Sequence, residues 1–182
     1  KYSEGLICLS ACLAGEIPQR LVEGNYNAAV EAAERYRRIF GKENFFIEVQ
    51  NHSISDEIKI LPNLYRLSNE LDIPLAATND CHYISKSDAK MQNVLLCIQI
   101  NKTLDEPNGM GFENEEFYLK SAEEMAELFV DEAVTNTARI AERCNVEFEF
   151  GKIKLPKFTV EGVTDNNEYF RSLCLSGMHK RY

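Results

Sequence analysis

Pro74–His82 reads PLAATNDCH. Pro74–Thr78 is a short apolar run closed by polar residues, which suits a strand buried on both faces. It ends in Asn79-Asp80-Cys81-His82. In extended chain, residues i and i+2 face the same side, so Asp80 and His82 can reach one cavity.

Two similar runs lie upstream, Phe45–Val49 (FFIEV) and Gly5–Leu9 (GLICL). Between the first two runs, Asn25 or Asn27 can cap a helix carrying Ala29, Val30, Ala33, Tyr36, Ile39 and Phe40, with Gly41 as a left-handed stop. A second helix is expected between Asp56 and Leu71, with Ile58, Leu61, Leu64, Tyr65, Leu67 and Leu71 inward. Pro62 either delays its start to about Leu61 or kinks it. Ser87 can cap a third helix carrying Val94, Leu95 and Ile98. Alternating strands and helices of these lengths predict an α/β fold of parallel βαβ units with right-handed crossovers. Three strands cannot close a barrel, so raw sheet edges, with association or partial disorder beside them, are expected unless further chain covers them.

Downstream, Thr103–Gly111 reads as a turn-rich connector. Ser121–Glu124 fits a capping box backed by Met125, Leu128 and Phe129. Asp131 can open a helix with Val134, Ala138, Ile140 and Ala141 inward. Val146–Phe150 is expected as a short strand, and Asn166–Tyr182 as an amphipathic helix.

The 182 residues are 45% hydrophobic, enough for a core, and no run approaches the length of a membrane span. The net charge of −9 offers no broad basic footprint for gripping nucleic acid unaided. Charge is uneven: residues 150–182 carry six Lys and Arg against three Asp and Glu, leaving −12 for everything before them. That shift points to a boundary near residue 150. Six cysteines without a CxxC pair or a leader segment suit reduced thiols in the cytoplasm.

Ligands gather at the C-terminal ends of parallel strands. Ser10, Ala11 and Cys12 follow the first strand, Glu48, Gln50 and His52 the second, and Asp80 and His82 the third. Cys, Asp and His from separate strand ends are a transition-metal donor set, suited to Zn²⁺, Mn²⁺ or Fe²⁺. Taken alone, Asp-x-His recurs by chance, Cys12 has packing as its ordinary role, and His52 can cap its loop or pair with Glu48. No phosphate-binding glycine motif and no GxSxG is present.

The ordered segments GLICLSACLAGEIPQ, FFIEVQNH, IPLAATNDCHY, LLCIQINKTLDEP, FYLKSAEEMAELF and ARIAERCNVEFEFGKIKLPKF closely resemble the alpha subunits of bacterial DNA polymerase III, the replicative C-family polymerases. The resemblance covers essentially the whole chain. It implies the later half of a PHP (polymerase and histidinol phosphatase) domain over residues 1–149, a partial, distorted (β/α)₇ barrel of which these strands are the last. Residues 150–182 would be a linker and the first helix of the palm.

The resemblance makes Asp80 and His82 the last metal-ligand pair and Cys12 a cysteine ligand, with His52 site-adjacent. It implies a cluster of divalent ions, Zn or Mn, serving a 3′–5′ proofreading exonuclease, and Mg in the parent polymerase site. Primer–template DNA, deoxynucleotides and other polymerase III holoenzyme subunits are the implied partners, with no membrane. The family's early His-x-His ligands would precede Lys1 and the palm aspartates would follow Tyr182, so the chain alone is expected to be catalytically inert. The alternative is a metal-free PHP domain that docks a separate proofreading subunit. A stand-alone PHP phosphatase is a third reading, opposed by FYLKS and GKIKLPKF.

Overall fold

Phe45–Val49 is the middle strand, β2, of a three-stranded parallel sheet ordered β1–β2–β3. β1 is Cys8–Leu9 and β3 is Leu75–Ala77. Cys8 pairs with Phe45 and Leu9 with Phe46, while Ile47, Glu48 and Val49 pair with Leu75, Ala76 and Ala77. A computed structural model of the chain describes residues 2–105, 112 and 114–182, so Glu106–Gly111 of the expected connector lie outside the described residues.

Phe45, Ile47, Val49, Leu75 and Ala77 join the main core, and Phe46 and Ala76 on the opposite face are buried as well. Burial on both faces explains why these strands carry no polar alternation. Two helices, α1 (Glu16–Val22) and α2 (Tyr26–Phe40), connect β1 to β2, and α3 (Ser55–Leu71) connects β2 to β3. The fold is therefore mixed α/β with a small parallel sheet, as expected for part of a PHP-type barrel.

Helix α1 is an element that apolar spacing does not separate; Ile17, Pro18 and Leu21 bury its inner face. Asn25 caps α2, its side chain accepting from the Ala28 N–H at 3.1 Å. Gly41 ends that helix at φ 88°, ψ 161°, a positive φ outside the left-handed helical basin. Helix α3 runs unbroken through Pro62, and it buries Ile60, Leu64 and Leu67 while Ile58 points to solvent. The 60/64/67 stripe keeps i, i+4, i+7 spacing, and Ile58 falls off it.

After β3 the chain folds back as an irregular loop, and a 3₁₀ turn (Lys86–Asp88) leads into α4 (Ala89–Ile100). Ser85, not Ser87, opens this turn: its N–H donates to the Asp88 carboxylate at 2.9 Å. Leu95 and Ile98 are exposed on α4 rather than packed. Helix α5 (Ala122–Leu128) has the expected reciprocal cap between Ser121 and Glu124.

Helix α6 (Asp131–Arg143) packs on β3, but through Ala133 and Asn136 rather than Ala138. Buried Asn136 donates from Nδ2 to the Leu75 carbonyl at 2.8 Å, so a side chain satisfies part of the β3 edge. The expected Val134 packs against the core, whereas an apolar-stripe rule passes over an inward asparagine and puts Ala138 inward in its place.

The chain divides into two compact units, Lys1–Asn145 and Val146–Tyr182. In the second, Val146–Phe150 forms no strand; Val146, Phe148 and Phe150 are largely exposed. A single extended segment needs a neighbour to pair with, and its backbone finds no ladder there. Asp165 caps α7 (Asn166–Arg181), accepting from the N–H groups of Asn167 and Glu168 at 2.8 and 3.2 Å. No described helix is long and apolar enough to cross a membrane.

Candidate functional site

The C-terminal ends of β1, β2 and β3 are tied together by one carboxylate. Glu48 accepts from the Ala11 N–H at 2.9 Å, from Gln50 Nε2 at 3.2 Å and from the Thr78 hydroxyl. Its own N–H donates to Ser10 Oγ at 2.8 Å. Three neighbours thus fix a half-buried side chain at the centre of the sheet's rim, and Ser10 holds its backbone.

The loop after β1 is tight. Ala11 sits at φ 66°, in the left-handed region that β-carbon-bearing residues avoid. Gly15 passes so close to Ser10 that a Cβ there would lie 2.3 Å from the Ser10 carbonyl oxygen. Cys12 is exposed within this loop. It lines a narrow cavity with Leu13, Glu48, Gln50 and Glu57 that includes neither Asp80 nor His82.

Asp80 and His82 stand together at the end of β3, with Oδ2 and Nε2 3.2 Å apart. Their side chains are about half and one-third exposed, at 51% and 37%. His82 packs on Phe112, ring centroids 4.5 Å apart, and meets Phe117 edge-on at 6.0 Å.

His52 lies behind this pair and is 1% exposed. Its ring Nδ1 bonds to Glu57 Oε1 at 2.9 Å, and its backbone N–H donates to Glu57 Oε2 at 2.6 Å. Its partner is Glu57, not Glu48. The Asp80 N–H donates to His52 Nε2 at 3.1 Å. With Nε2 accepting from the Asp80 amide, Nδ1 carries the hydrogen and donates it in the bond to Glu57, so the two partners select this tautomer.

Residues 114–120 form a strap under the Asp80–His82 loop. The Phe117 carbonyl accepts the His82 N–H at 2.8 Å, and the Tyr118 carbonyl accepts from Asn79 Nδ2 at 2.6 Å. Lys120, whose side chain is 3% exposed, places its ammonium 3.3 Å from Glu116 Oε2 and 3.4 Å from Asn79 Oδ1, over the Tyr118 ring. Hydrogen bonding from Lys86 holds the Glu116 carboxyl below its ordinary range, with Lys120 adding to the effect. The Tyr118 hydroxyl donates to Glu124 at 2.6 Å, and that bond, with burial, pushes its pKa up to about 12. In the sequence FYLKS is recognisable only as a family motif, and no local pattern reveals it as a support for a loop nearly forty residues away.

The structure thus brings Asp80 and His82 together, sets His52 directly behind Asp80, and places Cys12 in the loop after β1, lining a cavity with Glu48 and Glu57. Among the described residues no three His, Cys, Asp or Glu side chains gather into one metal-binding group. The Asp80–His82 pair nevertheless has the chemistry and spacing of one edge of a coordination sphere. Two donors about 2.0–2.2 Å from one ion, at tetrahedral or octahedral angles, stand roughly 3–3.5 Å apart.

Comparison with known proteins places the chain in a family. A PHP domain profile matches residues 1–52, the stretch from β1 to His52. The DNA polymerase III subunit alpha of Treponema pallidum is 45% identical over the whole chain, which spans 16% of that subunit. The Campylobacter jejuni subunit is 40% identical over 99% of the chain and 17% of its own length. That of Mycobacterium leprae is 35% identical over the whole chain, again 16% of the subunit. The chain therefore spans about one-sixth of the length of these curated relatives. Matched end to end by these subunits and carrying PHP sequence through its first two strands, the chain belongs to the bacterial DNA polymerase III alpha subunit family.

Proposed function

We propose that this chain is the later part of a PHP domain, residues 1–149, with residues 150–182 leading into the palm of a replicative DNA polymerase. The parent protein would extend primer–template DNA with deoxynucleotides, using Mg²⁺, among other holoenzyme subunits in the cytoplasm. Its PHP domain would hydrolyse phosphodiester bonds as a metal-dependent 3′–5′ exonuclease, and the chain alone would be inactive.

The observation that supports this most directly is the 3.2 Å juxtaposition of the Asp80 carboxylate and the His82 imidazole, both open to solvent at a parallel strand's C-terminal end. A carboxylate and a neutral imidazole are donors suited to Zn²⁺ or Mn²⁺. Bound there, such an ion would supply an activated water and neutralise charge on the leaving oxygen. Asp80 and His82 would hold it, and Glu48 would keep the three strand ends in register around it. Cys12, in the loop after β1, would supply a further ligand to the same cluster.

Mass spectrometry of bound metal on the complete parent polypeptide, purified without chelators, tests this reading beside a His82→Ala variant. We expect two or more Zn or Mn ions per chain in the parent and at least one fewer in the variant, with loss of 3′-end trimming. Metal-free protein in both samples would overturn the nuclease reading and leave a PHP domain that docks a separate proofreading subunit.

A further inference from the structure

We infer that His52 and Phe117 form a single positioning unit that sets the spacing of Asp80 and His82, with His52 acting through Asp80 rather than as a metal ligand. The functional consequence rests on the metal reading above; the positioning itself does not.

Both amides that flank Cys81 are claimed by this unit. The Asp80 N–H donates to His52 Nε2 at 3.1 Å, and the His82 N–H donates to the Phe117 carbonyl at 2.8 Å. The two holders are stacked face to face, ring centroids 4.5 Å apart and planes within 4°. Behind them Glu57, 6% exposed, takes both the ring and the backbone N–H of His52. Asn114 reaches from the strap to the His52 carbonyl at 2.5 Å.

His52 therefore has no free ring nitrogen. One is spent on Glu57 and the other on Asp80, which leaves nothing to offer an ion unless the Asp80 amide is released. Histidines that bind a metal typically turn their second nitrogen to a carboxylate. Here the carboxylate is present, but the first nitrogen holds a backbone amide in place of the ion. These two bonds hold the backbone at Asp80 and His82, and the side chains need only choose rotamers to meet an ion.

Hydrogen–deuterium exchange on the full-length parent, reading a peptide that contains the Asp80 and His82 amides, tests the inference. His52→Leu removes the acceptor and should speed exchange there at least tenfold, whereas His52→Gln, whose amide oxygen can reach the Asp80 N–H, should recover most of the protection. Mn²⁺ affinity should fall by about 10–100-fold in His52→Leu, the usual cost of losing an outer-shell partner, and return in His52→Gln. Glu57→Gln, which keeps the His52 ring, should move both readouts in the same direction by less, and serves if His52→Leu fails to fold.

Unchanged exchange in His52→Leu, or equal damage from Leu and Gln, would overturn the positioning role. A wild-type parent that binds no Mn²⁺ would overturn the metal reading alone, because the exchange measurement still decides the inference.

Discussion

The loops that follow β1 and β3 are both fixed, but by opposite means. The Cys12 loop is shaped from within: Ala11 in the left-handed region, Gly15 against the Ser10 carbonyl, and one outside carboxylate from Glu48. The Asp80–His82 loop has ordinary backbone and is held from outside, by His52 after β2 and by Phe117, Tyr118 and Lys120 of the strap. A loop of the first kind depends on what its own residues can adopt. A loop of the second kind depends on distant side chains, and its geometry can be adjusted without touching the donors.

The sharpest way to break this comparison is Phe117→Ala. Phe117 is 6% exposed and stacks on His52, and losing a buried phenyl group costs about 3–5 kcal/mol. Denaturant unfolding of the chain should show that loss, and the Asp80 and His82 amides should lose protection while those of Ala11 and Cys12 keep theirs. Equal loss at both loops would mean that they share one support.

The same contrast decides what could be read in advance. The three parallel strands, the Asn25 cap and the Ser121–Glu124 box were legible because each rests on a local pattern. Asp80 and His82 were picked out by strand-end position and i, i+2 spacing, and these place the pair without saying what holds it. Of the two ordinary roles open to His52, pairing with Glu48 fails, because the turn into α3 brings Glu57 round to the ring. Asn136 and Lys120 escaped notice for a shared reason: each is a polar residue buried by a specific tertiary bond, which hydropathy reads as surface. In Val146–Phe150 the pattern was right for a strand, but a strand exists only where another can pair with it.

The Cys12 loop should respond to Gly15→Ala, the next largest effect. The new Cβ would stand 2.3 Å from a backbone oxygen, so the loop must move, at a cost of about 1–3 kcal/mol in the unfolding free energy. Alkylation of Cys12 by a thiol reagent should change in rate, while the exchange of the Asp80 and His82 amides stays as in the wild type. Transmission of the change to Asp80 would show that Glu48, which touches both Ala11 and Thr78, couples the two loops mechanically.

The smallest effect separates the strap from the loop it holds. Glu116 has its pKa lowered in the folded chain, chiefly by Lys86 and also by Lys120, so its ionised form is favoured by folding. Its contribution is therefore complete above the ordinary carboxylate pKa and disappears as the pH falls through the lowered folded value. Both lysines must then lose a partner. Lys86 is half exposed and costs little, whereas buried Lys120 keeps the Glu116 carbonyl and Asn79 as acceptors. The stabilisation at stake is about 1 kcal/mol or less. Unfolding free energies of the wild type and Glu116→Gln should differ by that amount at pH 7 and converge below about pH 4. A difference that persists in acid would mean that Glu116 acts through the shape of the strap and not through its charge.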